Sequence, residues 1–206
     1  PYFNIFWTEP AEAAHDWPDF GDGMPRQFQA VVMARHMTGE TLPIEAVWRQ
    51  KILKLIDPET GFLTRPQTNY SKRVADEGDQ GLVLYALATA YADKPDEELK
   101  RVIIKIVDRL LDHAKNGTLD NKSFIRGFSL KSLMTCVRVL DYEPALKLAK
   151  LTVKIVFSEN PLFTPDNTFK HGGHMHGNLR TLVGAADYAL YVKDPVLYSR
   201  VDALYR

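Results

Sequence analysis

The run from Asp79 to Lys115, "DQGLVLYALATAYADKPDEELKRVIIKIVDRLLDHAK", holds the fold in miniature. Its first half, "GLVLYALATAYA", is apolar nearly all round, as a helix covered on most sides must be. The turn "DKPDEE" follows, with a proline near a helix start and acids suited to a first turn. The second half, "ELKRVIIKIVDRLLDHAK", spaces apolar residues three and four apart and fills the gaps with Lys, Arg and Asp, which describes a helix with one wet face. A buried helix followed by a half-exposed one predicts concentric layering.

The same unit recurs. Gly- or Asp-containing loops open an inner helix at Asp22-Gly23, Asp79-Gln80-Gly81, Arg126-Gly127 and His176-Gly177, a spacing of about 50 residues. Within the units the turns "TGETLP", "LDYEP" and "VKDPV" join each inner helix to an outer one such as "ALKLAKLTVKIVF". Helices are predicted at 24–38, 43–57, 79–93, 96–115, 128–141, 143–158, 176–192 and 195–206. Pro25, Pro43, Pro95, Pro144 and Pro195 stand at or near their starts, and Gly39 and Gly117 just past two ends. The chain reads as all-α, a single domain over residues 1–206 made of helical hairpins. Turns inside hairpins are short, whereas the connections 58–78, 116–127 and 158–175 are long, and long connections in compact domains usually carry function. All of them lead into inner helices, so they gather at one mouth, which favours an α/α toroid over an open solenoid.

Composition limits the partners. Twenty-six basic against 26 acidic residues give zero net charge, so no global field draws nucleic acid or an anionic membrane. Apolar runs such as 82–92 are too short to span a bilayer. Cys136 is the only cysteine, which excludes an internal disulfide and a multi-cysteine zinc site; its setting, "LKSLMTCVRVL", is that of a small buried hydrophobe. Pro1 in place of an initiator methionine, and the helical character of "YSRVDALYR", predict a piece of a longer polypeptide.

The stretches "DFGDGMPRQFQAVVMARHMTGE", "DEGDQGLVLYALATAYADKPDEELKRVIIKIVDRLLDHA" and "HMHGNLRTLVGAADYALYVKDPVLYSRVDALYR" resemble the six-hairpin glycosidase class, particularly its β-L-arabinofuranosidase-like branch. The resemblance implies a toroid with about four of six hairpins present, a carbohydrate substrate, glycoside hydrolase activity and a periplasmic or secreted setting. That branch is associated with a cysteine-rich zinc site, which one helical cysteine does not supply. No metal or other cofactor is therefore expected, and the branch's nucleophile is not carried over.

A saccharide site needs carboxyl groups for acid and base work, aromatic faces and polar groups for hydroxyls. "HDWPDFGDG" offers Trp17, Asp19 and Asp22 before the first inner helix, and "NYSKRVADEGDQG" offers Tyr70, Arg73, Asp76, Asp79 and Gln80 before the second. Asp79 and Asp22 are the expected catalytic acids. Each precedes or opens a helix, as do Asp19 and Asp76, so capping is the plainer reading of all four. Trp17 and Tyr70 read equally well as loop staples, Arg65 and Arg73 as partners of the loop acids, and His36 and His113 as helix-end caps.

"KHGGHMHGNLR" places His171, His174 and His176 within six positions. Zinc wants a fixed scaffold, and His-x-x-His-x-His in a glycine-rich loop lacks helical placement or a nearby acid. Aligned with Asp79 and Asp22 by the repeat, His176 reads instead as a cleft residue able to move a proton, with His174, Asn178 and Arg180 as substrate contacts. A hydrolase leads. The alternatives are a lyase using His176 and Tyr70 on an uronic acid, and a noncatalytic helical-repeat binder.

Overall fold

The computed structural model of the chain describes residues 4–6, 12–14, 19–67, 72–120, 129–159, 162–169 and 175–206. Eight α-helices lie among them: α1 Met24–Thr38, α2 Pro43–Leu55, α3 Glu77–Asp93, α4 Glu97–Lys115, α5 Ser129–Leu140, α6 Glu143–Lys154, α7 Met175–Val192 and α8 Pro195–Tyr205. Among the described residues the chain is all-α apart from two three-residue antiparallel strands, β1 Asn4–Phe6 and β2 Glu12–Ala14.

Local chemistry sets several helix ends. The Asp96 carboxylate accepts from the Leu99 amide at 2.9 Å, and that of Asp194 from Leu197 at 3.0 Å. Each such cap is worth about 1 kcal/mol. Gly39 stops α1 at φ 76°, donating its amide to the Arg35 carbonyl at 2.8 Å. One boundary departs from expectation: the helix read over 143–158 is regular only to Lys154 and then widens into one π turn, Ile155–Glu159. Ile155, Val156 and Phe157 are all buried in that turn.

Packing separates two layers. α1, α3, α5 and α7 form a row in sequence order, and each is backed by the helix that follows it. α3, in the middle of the row, is buried at every position from Glu77 to Leu84. α4 behind it buries only one stripe, Leu99, Ile103, Ile106, Val107, Leu110 and Leu111, each side chain contributing about 1.5–3 kcal/mol. Cys136 is enclosed in α5, and burial pushes its thiol up to about 12.

Inner helices run the same way. Gln29 donates to Thr89 at 3.0 Å and His36 meets Asp93 at 2.8 Å between α1 and α3; Lys131 donates to Asp187 at 2.5 Å between α5 and α7. Gly184 in α7 lies so close to α5 that a Cβ would fall 2.5 Å from the Lys131 amide nitrogen. Among the described residues the row is open: α1 packs on α2 and α3, and α7 on α5, α6 and α8. At the α7 end Leu179, Val183, Tyr198 and Tyr205 stand exposed around a groove of about 180 Å³, and Leu190 is exposed further along α7.

Two of the long connections, 58–78 and 158–175, are less structureless in their described residues than their length predicts. Ile56 bridges Leu63, Arg65 bridges Val74 and Phe163 bridges Phe169, which folds each loop back on itself.

Candidate functional site

The start of α3 is built around one buried carboxylate. Asp76 caps the helix, accepting from the Gly78 amide at 2.7 Å, which sets Asp79 in the first turn. The Arg65–Val74 bridge brings Arg65 in from the preceding connection. Its Nε donates to Asp79 Oδ2 and its Nη2 to Oδ1, both at 2.7 Å. From the other side comes the π turn Asp19–Gly23, where a Cβ on Gly21 would fall 1.7 Å from Asp79 Oδ1, so only glycine fits.

Asp22 therefore sits beside Asp79, the two acids coming from successive inner-helix starts. Their surroundings differ. Asp79 is 4% exposed, and burial pushes its carboxyl above the ordinary aspartate range; Arg65 pulls the other way, while the charges of Asp76 and Asp22 add to the rise. The Asp22 side chain is 39% exposed and forms an ion pair with Arg26 one turn on. Of the four aspartates with a capping reading, Asp76 is a cap, Asp22 and Asp79 pair with arginines, and Asp19 opens the π turn.

A second polar group adjoins the first. Glu77 meets His113 Nδ1 at 2.6 Å and also accepts from the Asp120 amide, tying the start of α3 to the end of α4 and to the loop beyond it. His113 packs its ring edge against Phe62 at 5.4 Å. It thus serves a carboxylate rather than helix carbonyls, as does His36 with Asp93. The Glu77–His113 pair follows from the hairpin geometry, which sets the first turn of α3 beside the last turn of α4, whereas His36–Asp93 joins the last turns of the parallel helices α1 and α3.

The remaining expected site residues divide. Gln80 is fully buried, its amide donating to the carbonyls of Leu63 at 2.9 Å and Asp76 at 2.8 Å and accepting from the Leu63 amide at 2.8 Å. That geometry gives it the task of holding the connection rather than a ligand. Arg73 pairs with Asp57, its guanidinium largely in solvent. His176 is exposed at the start of α7, with Asn178 and Arg180 half-buried beyond it. Trp17, Tyr70, Arg126, His171 and His174 lie outside the described residues.

Compared with known proteins, the chain matches no family model and no curated protein. Among the described residues no cluster of three or more His, Cys, Asp or Glu is disposed to hold a metal ion. No helix there is long and apolar enough to cross a membrane.

Proposed function

We propose that the inner-helix starts form the mouth of an α/α toroid that binds carbohydrate and hydrolyses a glycosidic bond. The observation that carries this reading is the corner where Gly21 lies on Asp79, since it brings acids from two hairpins together. Glycoside hydrolysis is two-carboxyl chemistry, helped when one group is buried and the other wet. Asp22 is the ligand-facing carboxylate in this reading. Asp79, clamped by Arg65, is its buried neighbour and fixes the local charge, and exposed His176 serves as a proton-transfer partner. The bare α7–α8 groove supports the toroid arrangement, because a ring covers the corresponding groove of each of its hairpins.

The test is release of reducing ends from an oligosaccharide panel, with sugar binding followed by calorimetry. Asp22→Asn is expected to lose about 10²-fold or more in turnover while binding persists. Unchanged turnover in that variant overturns the assignment, and an unsaturated, ultraviolet-absorbing product would redirect it to a lyase. A noncatalytic binding mouth is the second reading, favoured by the internal use of both Asp79 and Gln80. It predicts sugar binding with no product from any member of the panel.

A further inference from the structure

At the far ends of α1 and α3, away from the mouth, two exposed methionines flank a histidine. Met33 is 50% and Met37 81% exposed, whereas methionine is a side chain that folding normally buries. Met33, His36 and Met37 stand at i, i+3 and i+4, within an arc of about 100° on the helix. All three line one groove of about 250 Å³, whose opposite wall is Thr89, Ala92 and Asp93 of α3.

The imidazole is already oriented. His36 Nδ1 lies 2.8 Å from Asp93 Oδ1, and the bond to a carboxylate assigns the proton to Nδ1 and leaves the Nε2 lone pair for another partner. Asp93 is itself held by Arg35 Nη1 at 2.5 Å, and Arg35 by Glu45 at 2.7 and 2.9 Å. A carboxylate fixing the far nitrogen is the arrangement that steadies metal-bound histidines. Methionine sulfur is soft and its chain has three rotatable bonds, so sulfurs one turn apart can close on a common point. Thioether with imidazole selects Cu(I) over the hard cations.

We propose that Met33, His36 and Met37 bind one soft monovalent cation, Cu(I), through the two thioether sulfurs and His36 Nε2. This site is independent of the carbohydrate reading. Binding involves no change of oxidation state, and Ag(I) serves as a redox-inert stand-in. The experiment titrates the protein with Ag(I), and anaerobically with Cu(I) kept reduced by ascorbate against a chromophoric Cu(I) chelator, while ¹³C-methyl resonances of the methionines are recorded. One equivalent is expected to move the Met33 and Met37 methyls and leave those of buried Met24 and Met134 in place. The methyl signals separate this site from the imidazoles at positions 171, 174 and 176. Met33→Leu/Met37→Leu, equal in bulk and exposed, is expected to keep the helical circular dichroism and lose the competition with the chelator. Asp93→Asn, which neutralises the orienting carboxylate and loosens its ion pair with Arg35 but leaves all three ligands in place, should weaken binding about 10–100-fold. Unmoved Met33 and Met37 methyls, or a double variant that competes like the parent, overturns the proposal.

Discussion

Replacing Arg65 by methionine removes the cation from a carboxylate that has no access to water. The Arg65 and Asp79 side chains are 6% and 5% exposed, and two bonds of 2.7 Å join them. Breaking one partner of such a pair costs about 3–5 kcal/mol, because the other charge stays buried. In a chain of 206 residues each kcal/mol moves the midpoint by about 2–4 °C, so Arg65→Met should lower Tm by roughly 6–20 °C. Asp79→Leu added to it should restore most of the loss, since a well-packed apolar pair costs little where a lone charge costs much. Thermal and urea unfolding of the parent, both single variants and the double, followed by circular dichroism, closes the cycle. The pH dependence adds a check of sign. With the arginine gone, burial raises the Asp79 carboxyl further, the folded state binds its proton more tightly, and the loss should shrink as pH falls from neutral. If Arg65→Met costs less than about 1 kcal/mol, the pair behaves like an exposed one and the dry corner described at the start of α3 is wrong.

Gly184→Ala drives a methyl into α5 backbone, 2.5 Å from the Lys131 nitrogen and 2.8 Å from the Leu130 carbonyl carbon, and should cost about 1–3 kcal/mol in urea unfolding. Acid should destabilise the protein through Asp57, Asp93, Asp96 and Asp166, whose carboxyls are held low chiefly by Thr60, His36, Leu99 and Thr164 respectively. Their folded values lie below the unfolded one, so this stability is full above about pH 4 and drains away below it, as Tm measured against pH would show. Asp96→Ala removes the cap of α4 and a partner of Arg49, and should cost about 1 kcal/mol with faster amide exchange in the first turn of that helix.

The helices were legible because their periodicity is a local property. Pro43 and Pro195 announce starts, Gly39 a stop and the alternation of all-apolar with striped helices two layers. The π turn was not legible, because "KIVFSE" continues the helical pattern before it and one wider turn leaves no mark on that pattern. At the start of α3 the sequence singled out Asp22 and Asp79 and paired Arg65 with a loop acid, yet spacing alone does not separate the buried aspartate from the wet one. That difference arises from Gly21, 58 positions upstream of Asp79, pressing on its carboxylate. The role of Gln80 in holding Leu63 was not legible, since a side-chain amide that replaces missing backbone partners looks in sequence like any other polar residue near a loop. The Glu77–His113 pair required knowing which helix end lies beside which, information that the hairpin topology carries and single positions do not.

Helical arrays that stay dispersed usually finish in a hairpin whose outward side is polar. The α7–α8 hairpin instead turns Leu179, Val183, Leu190, Tyr198 and Tyr205 outward. Zero net charge removes the long-range repulsion that would otherwise keep copies apart. Purified by itself, the chain should therefore scatter light increasingly as it is concentrated, and a charge placed at Val183 should relieve this more than the same charge on the wet face of α4.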